Sequence, residues 1–222
     1  MIKMLNGLKW KLKEHKELIS YGYEHSLIKD LLNKGYRKMS YQKWHEYPKI
    51  KSEKEGCLFT NDTPIPSLKE VFVEGIYNFP DFVPKNGDVV LDVGASYGDT
   101  AIWYAKKFGA KVIAFEPLKD VYEILLKNIE LNKADVIAYN IALGNGKNIN
   151  GQRQGNMLAI GGKENFETRT LDSFNIQKAD ILKVDVEGFE YDVLEGAKDT
   201  IIRCKPKIIL ETHTYELKEK CT

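Results

Sequence analysis

From residue 88 onward the chain repeats one unit: a short unbroken apolar run, then apolar residues at helical spacing. Val89–Val93 ends at Gly94, and Ala101, Tyr104, Ala105 and Phe108 follow at i, i+3, i+4 and i+7. Lys111–Phe115 precedes the stripe Val121, Ile124, Leu125, Ile129, and residues 135–139 form a third run. Residues 144–167 are rich in Gly and Asn and read as a long loop or hairpin. A fourth run, 180–185, leads to the stripe Phe189, Val193, Leu194, Ala197, and a fifth run covers 207–211. Strands that read as continuous apolar runs are buried on both faces by crossover helices. The order predicts an α/β fold with a doubly wound, mainly parallel sheet.

The preceding part differs. Leu5, Leu8 and Leu12 lie at helical spacing, as do Leu27, Ile28, Leu31 and Leu32 before Gly35. Pro48, Gly56, Pro64 and Pro66 punctuate a connector. The expected division is a mainly helical N-terminal extension with connector at 1–68 and a ligand-binding domain at 69–222. Residues 1–50 hold 11 Lys/Arg against 5 Asp/Glu, so a basic arm precedes an acidic body within a chain of net charge +1. A solvated helical surface explains the arm; an anionic partner is the alternative. No apolar run approaches the roughly 20 residues of a membrane span, and no secretion signal is legible. The expected location is the cytoplasm. Cys57, Cys204 and Cys221 are too few and too scattered for a disulfide framework or zinc cluster and read as free thiols.

In doubly wound sheets ligands bind at the carboxyl ends of strands where the strand order reverses. The first run closes on Asp92-Val93-Gly94-Ala95-Ser96-Tyr97-Gly98-Asp99-Thr100. Gly94 and Gly98 allow a tight turn and close approach of a ligand to bare backbone, and Asp99 is placed to cap the next helix. Gly-x-x-x-Gly is not the Gly-x-Gly-x-x-Gly that suits a dinucleotide pyrophosphate, which disfavours a NAD enzyme. S-adenosylmethionine lacks phosphate and fits the looser loop. Glu116 closes the second run 22 residues after Gly94, where a carboxylate can accept both hydroxyls of a ribose.

Val90 through Gly98, followed by Ala114-Phe115-Glu116-Pro117, resembles the first two motifs of class I, Rossmann-like methyltransferases. Leu171-Asp172-Ser173-Phe174, the block Leu182-Lys183-Val184-Asp185-Val186-Glu187-Gly188-Phe189-Glu190, Val193 through Ala197 and Lys205-Pro206 to His213 resemble the FkbM family in particular. The resemblance implies an S-adenosylmethionine-dependent methyltransferase, mostly acting in that family on hydroxyls of sugars and macrolide-type natural products. It implies cofactor contacts from Asp92, Gly94, Ala95, Ser96, Tyr97, Gly98 and Thr100 around the methionine part, and from Glu116 and Pro117 at the ribose. Asn140, Ile141 and Ala142 would lie along the adenine, and Tyr77, in a segment folding over the cofactor, would touch the methionine carboxylate.

Asp185, Glu187 and Glu190 follow the fourth run; Glu211 and His213, two apart and so on one strand face, end the fifth. If these strands are neighbours, both groups face the methyl acceptor. A neutral alcohol benefits from a base, and the catalytic candidates are Asp185, Glu187 and His213, the last with an ordinary pKa near about 6.5. Lys183 shares the face of Asp185 and is placed to pair with an acid. Carboxylates with one His can also hold a divalent cation, but hydroxyl-rich substrates explain them equally, and no residue is assigned to a metal. The partner the resemblance implies is a small-molecule or glycan hydroxyl substrate. Two alternatives remain: an RNA methyltransferase using the basic arm with Trp10, Tyr21, Tyr23, Tyr36, Tyr41 and Trp44, or a catalytically weak cofactor-binding protein. Val186-Glu187-Gly188 stands where base-amine methyltransferases show a Pro-Pro-Tyr-like turn, which makes nucleic acid the lesser expectation.

Class I methyltransferase sheets run 3-2-1-4-5-7-6, with a hairpin beside the fifth strand. Here no C-terminal hairpin is expected, since residues 215–220 read as the start of a helix. The apolar edge at 208–210 then needs a cover. The 144–167 segment, the N-terminal extension and a second chain are the candidates; a second chain is favoured, and with it a homo-oligomer.

Overall fold

A computed structural model describes residues 2–6, 50–52 and 57–221, apart from 61, 65, 66, 69, 156 and 162. Six strands form the central sheet: β1 (Ile2–Asn6), β2 (Val89–Val93), β3 (Lys111–Phe115), β4 (Val136–Tyr139), β5 (Ile181–Val184) and β6 (Lys207–Thr212). Their order is β1-β6-β5-β2-β3-β4, and every neighbouring pair is parallel. Among the described residues the α-helices are α1 (Asp99–Phe108), α2 (Lys119–Asn132), α3 (Glu190–Glu195), α4 (Lys198–Cys204) and α5 (Tyr215–Lys220). This is the doubly wound α/β architecture, and the order β4-β3-β2-β5-β6 reproduces the 3-2-1-4-5 part of the class I sheet.

Period-2 alternation divides the core between the two faces. Val90, Ile181 and Ile209 pack with Ala101 and Tyr104 of α1 and Leu125 of α2. Leu91, Val93, Leu182, Val184 and Leu210 pack on the other face with Val193 and Ala197. Burial of both faces is why the strands carry almost no polar residue, and why the exceptions are informative. Asp92 and Lys183, directly opposed on β2 and β5, are such exceptions.

The edge of β6 is covered by the chain's own N-terminus. Ile2–Asn6 runs parallel to it, from Ile2 opposite Ile208 to Asn6 opposite Thr212. Helical spacing at Leu5 predicted a helix there; instead, the unpaired N–H and C=O groups of β6 recruit a strand, because ladder bonds to an apolar edge outweigh weak local propensity. β6 thus has a partner on this side without a second chain. No strand follows β6 among the described residues, and 215–220 is the helix expected. The helices predicted around Leu8, Leu12, Leu27–Leu32 and Gly35, and the basic arm's aromatics, lie outside the described residues.

The described connector is bonded to the domain rather than hanging from it. Cys57–Phe59 pairs with Ile50–Ser52, and Cys57 and Phe59 are fully buried with Leu68 and Ile102. Asn132 and Asn128 of α2 accept from Leu58 N at 2.7 Å and Thr60 N at 2.9 Å. The Gly/Asn-rich segment is a three-stranded antiparallel sheet, Ile149–Gln154 flanked by Met157–Ile160 and Glu164–Phe166. No described helix is long and apolar enough to cross a membrane.

Candidate active site

β2 has β3 on one side and β5 on the other, and the chain winds outward to β4 and then back to β6. The strand order therefore reverses between β2 and β5, and a crevice opens at their carboxyl ends. The turn after β2 is left-handed at Gly94 (φ 79°), Ser96 (φ 48°) and Gly98 (φ 83°). A Cβ on Gly94 would collide with the Asp185 carbonyl oxygen, and one on Gly98 with Leu125. Both glycines are thus needed by packing before any ligand arrives. Asp99 does not cap α1: Gly98 holds that position without a side-chain bond, while Asp99 Oδ1 accepts from Thr100 N at 2.8 Å. Burial pushes the Asp99 carboxyl up to about 7.

Glu116 is 4% exposed at the end of β3. Its Oε2 accepts from Ser96 N at 3.0 Å and its Oε1 from Leu118 N at 2.9 Å. Burial raises its pKa to about 7, against these two N–H groups, which favour the anion. Each oxygen has a second lone pair, so the carboxylate is held in place and can still accept a diol.

The crevice between these elements is open to solvent, with empty space of about 930 Å³ counted out to its mouth. Of the expected cofactor residues, Gly94, Ser96, Thr100, Glu116 and Pro117 line it. Ile141, Ala142 and Tyr77 line it too. The others do not. Asp92 lies below, bonded to Lys183. Ala95 is buried; Tyr97 packs with Leu118 and Val121. Asn140 is exposed, and its Nδ2 donates to the Glu116 and Pro117 carbonyls at 2.9 and 3.0 Å, locking the turn. Ile149, Met157 and Leu158 of the antiparallel sheet close one wall, a contribution the turn-like composition of 144–167 concealed.

Lys183 occupies mid-strand on β5 and is 3% exposed. Its Nζ donates to Asp92 Oδ1 at 2.9 Å and the Gly94 carbonyl at 3.2 Å, tying β5 to the turn. The expected pairing with an acid is present, with Asp92 as partner. Burial alone would lower the Lys183 pKa, but the Asp92 and Asp185 charges hold it above its usual value.

Past the strand ends, on the same face, the acids converge. Tyr77 O–H lies 3.0 Å from Asp185 Oδ2 and 3.3 Å from Glu211 Oε2, so this tyrosine joins the acidic cluster rather than only covering the crevice. His213 Nδ1 is 2.5 Å from Glu190 Oε1, which also accepts from Gly188 N at 3.0 Å. His213 Nε2 faces Glu187 Oε2 at 3.2 Å, Asp185 Oδ1 at 3.6 Å and Glu211 Oε1 at 4.0 Å. The first is near enough for an ion pair but not in hydrogen-bonding orientation. The turn that presents Glu187 is left-handed at Glu187 (φ 52°) and Gly188 (φ 112°), backbone strain of the kind that accumulates at functional sites. Burial would lower the His213 pKa, but the bond to Glu190 and the Asp185 and Glu187 charges raise it to about 9. In this arrangement the imidazole carries a proton. Its ordinary pKa made it the natural base in the sequence; its surroundings here favour the imidazolium. Glu190, which orients His213, had only its place in the acidic block to signal it.

The methyltransferase FkbM domain family matches residues 92–221. The chain is 24% identical to the AMB antimetabolite synthetase AmbE of Pseudomonas aeruginosa over 78% of its own length and 10% of that protein's. It is 26% identical to methyltransferase sdnD of Sordaria araneosa over 65% of this chain and 73% of that one. It is similar to the crystal structure of an FkbM methyltransferase from Methylobacillus flagellatus, with 21% identity, a TM-score of 0.43, and coverage of 64% of this chain and 36% of that one. The chain thus spans about a tenth and about a third of the first relatives it matches. The match of residues 92–221 covers the turn after β2, Glu116 and the whole acidic block, and by it this chain belongs to the FkbM family of methyltransferase domains.

Proposed function

We propose that this chain is an S-adenosylmethionine-dependent methyltransferase acting on a hydroxyl oxygen of a sugar, glycan or small natural product. Asp185 carries the reading. Its backbone carbonyl packs against Gly94 of the expected cofactor turn, and its side chain enters the acidic cluster with Tyr77 and His213. One residue thus links the place for a methyl donor to a set of hydroxyl-seeking groups.

The cofactor, when bound, supplies a methyl group on a sulfonium. Glu116, fixed by Ser96 N and Leu118 N, accepts the ribose hydroxyls. Ile141 and Ala142 offer an apolar wall to the adenine. Asp185 and Glu187 accept hydrogen bonds from the acceptor hydroxyl and take its proton. Holding donor and acceptor in line contributes on the order of 7–11 kcal/mol, and the base a further 10²–10⁴-fold, roughly. Calorimetry with S-adenosylhomocysteine tests the cofactor; a mass-spectrometric search of extracts incubated with isotopically methyl-labelled donor tests the acceptor. Label appearing only in RNA, or no cofactor binding at millimolar ligand, would refute the reading.

A further inference from the structure

We propose that Asp185, Glu211 and His213 form a binding site for one divalent transition-metal cation of the manganese-to-zinc type, at the acceptor end of the crevice. One oxygen from each carboxylate and one nitrogen from the imidazole lie within 4.8 Å of one another. Metal–ligand bonds of about 2.0–2.2 Å put ligand atoms roughly 3–3.5 Å apart around the ion. Nε2 to Asp185 Oδ1 is 3.6 Å and to Glu211 Oε1 4.0 Å, so small side-chain rotations close the site. Glu187 Oε2, 3.2 Å from Nε2, supplies a fourth donor.

The second observation lies in how these donors are aimed. His213 is nine-tenths buried, and its Nε2 has no hydrogen-bond partner among the described residues although three carboxylate oxygens stand 3.2, 3.6 and 4.0 Å from it. Its other nitrogen meets Glu190 at 2.5 Å. Carboxylate–imidazole pairing of this kind fixes the tautomer of metal-bound histidines and strengthens them as ligands. Tyr77 O–H engages Oδ2 of Asp185 and Oε2 of Glu211, and the oxygens turned toward His213 are the opposite ones, Oδ1 and Oε1. Tyr77 thus orients the two carboxylates together and Glu190 orients the imidazole. Imidazole with carboxylates selects first-row transition ions over Mg²⁺ and Ca²⁺, which prefer oxygen alone. A cation there would draw the acceptor hydroxyl to Asp185 and Glu187 and acidify it. That role rests on the hydroxyl-methylating reading; the binding itself does not.

The experiment is titration of the chelator-treated full chain with Mn²⁺, followed by electron paramagnetic resonance, with Co²⁺ absorption reporting imidazole ligation. One Mn²⁺ per chain is expected, with Mg²⁺ competing weakly. Asp185→Asn and His213→Ala should each weaken Mn²⁺ at least about 10-fold, and Glu190→Gln, outside the coordination sphere, about 10–100-fold. Glu164→Gln, on the antiparallel sheet, should change nothing. Circular dichroism checks each variant's folding, and if His213→Ala does not fold, Asp185→Asn and the Co²⁺ spectrum decide. No binding at millimolar Mn²⁺, or binding indifferent to these substitutions, overturns the site. Methyl transfer without cation binding removes the site and keeps the function; cation binding without any methylated hydroxyl does the reverse.

Discussion

Replacing Glu116 by Gln should weaken S-adenosylhomocysteine by roughly 10- to 150-fold. Hydrogen bonds to a charged group contribute about 1.5–3 kcal/mol, and each 1.4 kcal/mol is about a factor of ten in affinity. The amide is preferable to Ala, which would orphan both Ser96 N and Leu118 N. Gln keeps one acceptor and orphans one N–H, a cost of about 1–3 kcal/mol. Against that, it removes the ionisation of a buried carboxyl whose pKa has moved from 4.5 to about 7, on the order of 3 kcal/mol. The two nearly cancel, so the variant should fold and a lost affinity reports the site. The pH dependence has a definite sign. A carboxyl with a raised folded pKa favours the fold below its unfolded pKa, and that contribution disappears as pH rises through about 7. Ligand affinity runs the opposite way, because the anion is the better acceptor. The wild-type chain should bind more tightly as pH rises from 6 to 8, and Glu116→Gln should lose the Glu116 part of that rise, leaving only what Asp99, also raised to about 7, contributes. Calorimetry across that range is the assay. Unchanged affinity in the variant, or a flat wild-type profile, would refute the ribose assignment.

Gly94→Ala should lower stability by about 2–6 kcal/mol in urea unfolding, combining left-handed strain with a collision against the Asp185 carbonyl. Lys183→Met should cost about 3–5 kcal/mol by stranding buried Asp92, and adding Asp92→Leu should restore most of it. Lys3→Pro and Met4→Pro should behave differently from each other: only alternate residues of an edge strand donate to their neighbour, so one proline should unprotect the Ile208–Leu210 amides in hydrogen exchange and the other should not.

Periodicity made the sheet legible because strands covered on both faces leave an unmistakable apolar trace, and Asp92, Lys183, Asp185 and Glu211 stand out against it as polar residues in or at the end of such runs. Their spacing by twos also gave the shared face on which the structure assembles them. Three things were hidden. Ile2–Asn6 becomes a strand only because β6 lies beside it, a tertiary fact that helical spacing at Leu5 cannot carry. The wall at Ile149, Met157 and Leu158 sits in a segment whose Gly and Asn read as turns, and its antiparallel pairing is set by register rather than composition. The protonation of His213 depends on Glu190, 23 residues away in sequence and 2.5 Å away in space.

That last distance changes the division of labour at the site. A histidine at the end of a strand reads as a base when its neighbours are unknown. With Glu190 against one nitrogen and three carboxylates facing the other, removing its positive charge leaves anions facing one another in a poorly solvated space. Such an arrangement is costly to build, and the core offered easy alternatives, since replacing buried charges by apolar groups is often neutral or stabilising. Its placement is also narrow: the acids stand on the face that holds Tyr77 and at the carboxyl ends of β5 and β6, while the opposite face of the same strands packs Leu182, Val184 and Leu210 without a charge. Electrostatic cost confined to the crevice where the strand order reverses is the pattern expected of a site that meets a ligand. The positive charge the cluster requires can be a proton on His213 or a cation beside it. Either way Asp185, packed against the turn after β2 and entering the cluster, is the residue that on the proposed reading would set where an acceptor oxygen stands.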